Sequence, residues 1–240
     1  MAEPIPYPVR INRYLALTGV TTRRAADELI RAGLVSINGT TAVVGQYVEE
    51  GNRVDVLEDA SRPRKKFSYV LYYKPRGVVT HSPVSGETAI ADVARFPGLF
   101  PVGRLDKESE GLILLTDDGR VTERLLHPRF AHEKEYEVSV REKIPTHAKK
   151  LLEAGLLSAG EKLAAKNVSF AGPRALSVVL TEGKTHQIRR MLDALHLTVE
   201  KLKRVRIMNL KIGNLKSGEG TALEELPRKK FLSELGLQER

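Results

Sequence analysis

The chain contains no cysteine. Disulfides, thiolate nucleophiles and thiolate-based zinc sites are thereby removed together, and a reducing compartment, the cytoplasm, is expected. No apolar run approaches the roughly 20 residues of a membrane-spanning helix, and Met1 to Pro8 lacks the apolar core of a signal peptide. The six histidines (His81, His127, His132, His147, His186 and His196) show no metal-ligand spacing, so no metal is expected. Internal repeats and long low-complexity tracts are absent. What remains reads as a soluble chain of 240 residues, 41% of them hydrophobic. That is enough for one large domain, or for a small one plus a medium one.

Positive charge is what the chain has in excess. Lys and Arg number 39 against 30 Asp and Glu, a net +9. Such a balance points to a polyanionic partner, with nucleic acid the first candidate. The excess is uneven. From Lys184 to Lys211 there are eight cations (Lys184, Arg189, Arg190, Lys201, Lys203, Arg204, Arg206, Lys211) against Asp193 and Glu200. This stretch is expected to meet phosphate.

Residues 9–58 read as a small unit. Ile11 and Leu15 have helical spacing, with Gly19 placed to stop that helix. Thr21 or Thr22 can cap a second helix, in which Ala25, Ala26, Leu29 and Ile30 share a face. Leu34 to Ile37 and the Asn38-Gly39 turn suggest a hairpin, and Val43-Val44 and Val54 to Val56 should complete a small sheet. Arg10, Arg13, Arg23, Arg24 and Arg31 make both helices basic. Residues 59–66 (Asp-Ala-Ser-Arg-Pro-Arg-Lys-Lys) read as a linker with few contacts across it.

From residue 67 to 240 strand-like and helix-like segments mix irregularly. Strands are expected at 69–73, 112–115, 136–140, 175–180 and 205–208, and helices at 121–126, 146–154, 187–195 and 229–235. The fold class is therefore α+β, a small helix-pair-plus-hairpin unit joined to a larger, mostly antiparallel sheet with flanking helices.

One acid stands out. Asp106 lies in Gly103-Arg104-Leu105-Asp106-Lys107-Glu108-Ser109-Glu110-Gly111, just ahead of the apolar run Leu112-Ile113-Leu114-Leu115. A polar loop holding an acid is thus fastened to a stiff core element, which is how a reactive group is pre-positioned. Most loop aspartates merely bond their own backbone, and the loop alone does not decide between the two readings.

Gly-Arg-Leu-Asp, a polar stretch, Gly and then Leu-Ile-Leu-Leu-Thr resembles the catalytic motif of pseudouridine synthases of the RsuA-type branch. Lys74-Pro75-Arg76-Gly77, Lys134-Glu135-Tyr136 and Gly183-Lys184-Thr185-His186-Gln187-Ile188-Arg189-Arg190-Met191 resemble three further motifs of that family, in order. The resemblance implies Asp106 as the catalytic carboxylate, Tyr136 against the target base and Arg189 paired with Asp106. A cationic partner keeps a partly buried carboxylate charged, and a guanidinium grips it bidentately. Residues 9–58 resemble the S-four-type RNA-binding domain, whose basic helices and hairpin grip folded RNA. RNA contacts are expected from Arg10, Arg13, Arg23, Arg24, Lys74, Arg104, His186, Arg190, Lys203 and Arg204.

The chain departs from the family at Ser109-Glu110, where Thr-Ser is common, and an acid at Glu110 disfavours the charge on Asp106 unless it points away. Thr185-His186-Gln187 is nearer the RluA-type branch. Arg204 to Asn209 most resembles the RluF-type enzymes of large-subunit ribosomal RNA. The implied reaction is isomerisation of uridine in that RNA, with small-subunit or transfer RNA as other targets, by a monomer without cofactor. A non-catalytic RNA-binding or ribosome-assembly factor is the competing expectation, because charge and the first unit need no chemistry. A two-carboxylate glycosidase lacks a distinguishable second acid.

Overall fold

The computed structural model describes residues 5–18, 20–57 and 66–238. Gly19 and the expected linker, apart from Lys66, lie outside the described residues.

The amino-terminal unit comprises β1 (Val9–Arg10), α1 (Ile11–Leu17), α2 (Arg23–Arg31), β2 (Val35–Ile37), β3 (Thr40–Thr41), β4 (Tyr47–Val48) and β5 (Val54–Val56). Thr22 starts α2, its Oγ1 accepting the Ala25 N–H at 3.1 Å, as an N-cap hydroxyl does. Ala26 and Ile30 then face Ile11 and Leu15 in a shared core with Val35 and Ile37. Val43 and Val44 were expected in this sheet but form no strand and are exposed. The pairing is made instead by β3 on β2 and by β4 on β1.

The larger unit contains β6 (Tyr69–Lys74), α3 (Ile90–Val93), β7 (Phe100–Val102), β8 (Glu110–Thr116), α4 (Arg120–Leu126), β9 (Lys134–Val140) and α5 (Ala148–Ala154). It continues with β10 (Leu156–Ser158), β11 (Glu161–Leu163), β12 (Asn167–Gly172), β13 (Ala175–Leu180), α6 (Gln187–Asp193), β14 (Val199–Ile207), β15 (Leu210–Lys211), β16 (Gly220–Ala222) and α7 (Glu225–Glu234). All the strands and helices expected here form, with ends shifted by a few residues. One sheet runs β12-β13-β9-β14-β8-β6-β16, with β15 on β14 and β7 on β8. Its pairs are antiparallel except β14 on β8.

Period-2 geometry explains why β8 is apolar on both faces from Leu112 to Leu115. Leu112 and Leu114 face the core under α4 and α7, while Ile113 and Leu115 face Val70, Tyr72 and Ile90 on the other side. The parallel pair needs one glycine. Gly111 has φ +107°, and a Cβ there would lie 2.3 Å from the Arg204 carbonyl oxygen. The two backbones meet at Arg204↔Gly111 because that side chain is missing.

The two units touch. α1 lies against α4, and Thr22 sits on Gly119 at the start of α4. This seam is a narrow contact between the units.

Gly111→Ala should lower stability by about 3 kcal/mol or more, combining left-handed backbone strain with a clash against main chain. Urea unfolding monitored by far-UV circular dichroism measures it, and an unchanged midpoint would contradict the close approach.

Candidate active site

Asp106 occupies a loop whose backbone is held from several directions. The Thr80 hydroxyl accepts the Leu105 N–H at 3.0 Å and donates to the Leu105 carbonyl at 2.8 Å. The Gly77 N–H donates to the Lys107 carbonyl at 2.7 Å, and the Ser109 N–H to the Asp106 carbonyl at 3.0 Å. Arg189 donates to the Glu108 carbonyl at 3.0 Å. Arg204, buried, donates to the carbonyls of Leu112 at 2.7 Å and Arg104 at 3.3 Å. With its main chain pinned in this way, the loop leaves the Asp106 side chain, 37% exposed, standing in a cleft.

That cleft encloses about 890 Å³. Its walls include Thr80, Arg104, Asp106, Lys134, Tyr136, Gln187, Ile188 and Arg204. Tyr136 is buried in β9 and lines the cleft. His186 precedes α6 in a left-handed conformation, φ 52°, and its Nε2 lies 3.5 Å from Asp106 Oδ1. Glu182 is the other acid lining the cleft, engaged by Gln187 at 2.9 Å and Lys184 at 3.5 Å. Glu110 points elsewhere, accepting from the Tyr73 hydroxyl at 3.0 Å. Burial and this bond push the Tyr73 phenol up to about 12. Among the described residues no cluster of three or more His, Asp or Glu could hold a metal.

An acid presented by a pinned loop beside an aromatic wall matches what the sequence motifs imply. Residues 68–194 match the family model for RNA pseudouridylate synthase. The chain is 36% identical over 214 residues to the dual-specificity RNA pseudouridine synthase RluF of Escherichia coli, covering 88% of this chain and 74% of that one. It is 32% identical over 239 residues to the ribosomal large subunit pseudouridine synthase B of Bacillus subtilis, covering 95% and 98%. A crystal structure of a pseudouridylate synthase superposes with a TM-score of 0.68 at 26% identity, covering 95% of this chain and 99% of that one. The chain belongs to the RNA pseudouridylate synthase family.

Within this pseudouridine synthase several expected contacts take a different form. Arg189 was expected on the Asp106 carboxylate, but it bonds the main chain of the same loop two residues on. The cation-capable group beside the carboxylate is His186. Lys74 was expected to meet RNA, yet it is fully buried, with Nζ donating to the Pro75 and Val78 carbonyls at 2.8 and 2.6 Å. Burial, with Arg204 adding to it, pulls Lys74 down to about 8. Arg204 likewise faces inward rather than toward phosphate. Arg190 spans to β10 and β11, bonding Ser158 at 3.2 Å and Glu161 at 2.7 Å. Lys203 lies over the Tyr73 ring at 5.3 Å. Arg10, Arg13, Arg23, Arg24 and Arg104 are exposed.

Thr80 escaped sequence reading because it sits in an irregular stretch 25 residues before its partner, with no periodicity to mark it. Lys134 belongs to the Lys134-Glu135-Tyr136 motif, which by itself implies no role for the lysine. It is buried at the cleft wall and donates to the His132 carbonyl at 3.1 Å, and burial followed by Arg204 pulls it down to about 8.

Two outcomes follow from this geometry. Thr80→Val keeps the shape but strands both polar groups of Leu105, at a cost of about 1–3 kcal/mol. Pseudouridine formation should slow at saturating RNA, while the RNA concentration for half-maximal rate stays near the wild-type value; an unchanged maximal rate would remove Thr80 from the positioning argument. Lys134 supplies a pH test. Its folded value, about 8, lies below the unfolded one, so between these the unfolded chain binds more protons and stability rises with pH. Lys134→Met should flatten that rise between about pH 8 and 10.5 in urea midpoints; parallel profiles would show that Lys134 titrates normally.

Proposed function

We propose that this enzyme converts one uridine of structured large-subunit ribosomal RNA to pseudouridine in the cytoplasm, with Asp106 as its working carboxylate. The observation that carries the assignment is the Asp106 loop. Its carbonyls from Arg104 to Glu108 are hydrogen-bonded while its carboxylate is left facing the cleft, and another acid of the cleft, Glu182, is already engaged. The names of the Escherichia coli and Bacillus subtilis relatives support ribosomal RNA, the second of them the large subunit. No helix among the described residues is long and apolar enough to cross a membrane.

The reaction breaks the bond from ribose to the base nitrogen, turns the base and rejoins it through a ring carbon. Nothing is oxidised and no group is donated, so residues of this chain suffice. A single carboxylate serves either as nucleophile toward the sugar or as base toward it, and both routes require a fixed, charged oxygen at the reacting carbon. The uridine must leave its stack to reach that oxygen. Tyr136 lines the cleft wall, where base–aromatic contact of about 1–3 kcal/mol offsets part of the unstacking cost. Arg189 and Thr80 keep the loop in register, and His186 Nε2 stands 3.5 Å from the carboxylate.

The proposed division of labour assigns RNA grip to residues 9–58 and chemistry to residues 67–240, with 59–66 as the linker and a monomer as the working unit. The first unit's described cations are exposed. Asp106→Asn preserves size while removing the charge. Tritium release from carbon-5-labelled uridine in unmodified ribosomal RNA should fall by about three orders of magnitude or more, with RNA affinity retained. Release at the wild-type rate would take the chemistry away from Asp106.

A further inference from the structure

The start of α4 carries a glycine that its own backbone does not require. Gly119 has φ −67° and ψ −14°, an ordinary helical conformation open to any residue. Only its neighbour explains it, since a Cβ there would lie 2.1 Å from Cγ2 and 2.7 Å from Cβ of Thr22. Thr22 cannot easily turn away. Its Oγ1 is committed to the Ala25 N–H as the cap of α2, and this fixes the rotamer that aims the methyl group at Gly119. The far side of the seam is equally stiff. Asp118, fully buried, is gripped by Arg120 through two bonds of 2.8 Å and by the Tyr69 hydroxyl at 2.7 Å. The seam therefore joins two rigid pieces, the basic unit and the catalytic unit.

α4 connects this seam to the chemistry. Gly119 abuts the amino-terminal unit at one end of the helix, while Leu126 at the other end and Pro128 just beyond it line the Asp106 cleft. Seven helical residues span roughly 10 Å. Arg23 and Arg24, exposed, follow Thr22 directly at the seam.

We propose that the amino-terminal unit works while seated on Gly119, so that Arg23, Arg24 and the cleft rim form one surface for a single folded RNA. α4 sets the spacing between the gripped phosphates and the reacting uridine. The inference rests on the isomerase reading for its substrate but not for its geometry. A unit free on its tether gains only from effective concentration, whereas a seated one presents its cations in register with the cleft.

The test moves a side chain across the seam in the full-length protein. Gly119→Val should unseat the unit. The RNA concentration for half-maximal tritium release from unmodified large-subunit ribosomal RNA should rise about tenfold, and its salt dependence should flatten. The maximal rate should be kept. Thr22→Gly added to Gly119→Val reopens the space, because glycine is tolerated at a helix cap, and should restore most of the lost affinity. Wild-type affinity in Gly119→Val would overturn the proposal, and tighter binding would make the seated form a resting state that RNA must open. A folded double variant that recovers nothing would also overturn it. If the single variant does not fold, the double variant and Gly119→Ala carry the comparison. Filter binding of the same RNA reads affinity without turnover, so absence of tritium release from the wild type would sink the isomerase reading and leave this one measurable.

Discussion

Everything at the cleft depends on a buried guanidinium laid across two strands that run the same way. Arg204 donates to the carbonyls of Leu112 and Arg104, on either side of the Asp106 loop, from a position with almost no solvent. Burying a charge costs several kcal/mol unless hydrogen bonds take the place of water. Here two carbonyls do so for Nε and Nη1, while Nη2 is buried with no partner among the described residues, and those carbonyls are the ones that fix where the loop enters and leaves. The strand pairing beneath it works only because Gly111 lets the β14 backbone approach. One missing Cβ and one buried cation thus set the geometry from which the acid projects.

The same site shows how a basic protein divides its cations. Lys74, Lys134 and Arg204 are buried around the loop and bond carbonyls, whereas Arg10, Arg13, Arg23, Arg24 and Arg104 are exposed. Among the buried three, each charge raises the cost of the next, and Arg204 helps pull both lysines down toward 8. Carboxylates at Asp106, Glu108 and Glu110 oppose that pull on Lys74. The interior of the site is therefore a balance of charges held by backbone oxygens, distinct from the screened cations outside.

Much of this was legible in the sequence where local rules operate. The apolar run at 112–115, the cap at Thr22 and the Asp106 loop each became the element their residues prescribe. Legibility ended where a side chain's partner is distant in the chain. Arg204 and Lys74 read as phosphate contacts because charge in a basic stretch is usually solvated, and only the pairing of strands shows that these two turn inward. Arg190 failed for the same reason, since Ser158 and Glu161 reach it from a separate hairpin. The Arg189 partner was off by a short step, from a carboxylate to a carbonyl on the same loop. Val43 and Val44 failed through propensity alone, which favours strand but supplies no pairing partner.

The parallel strands carry a consequence for how the molecule is made. Arg204 and Leu112 are 92 residues apart in the chain, and pairings so remote form late because the intervening loop must first be closed. The amino-terminal unit holds its own core and is synthesised first. During translation the chain thus acquires a folded surface with exposed arginines well before β14 emerges to fasten the acid in place. A growing polypeptide presents its outer cations before its acid is held.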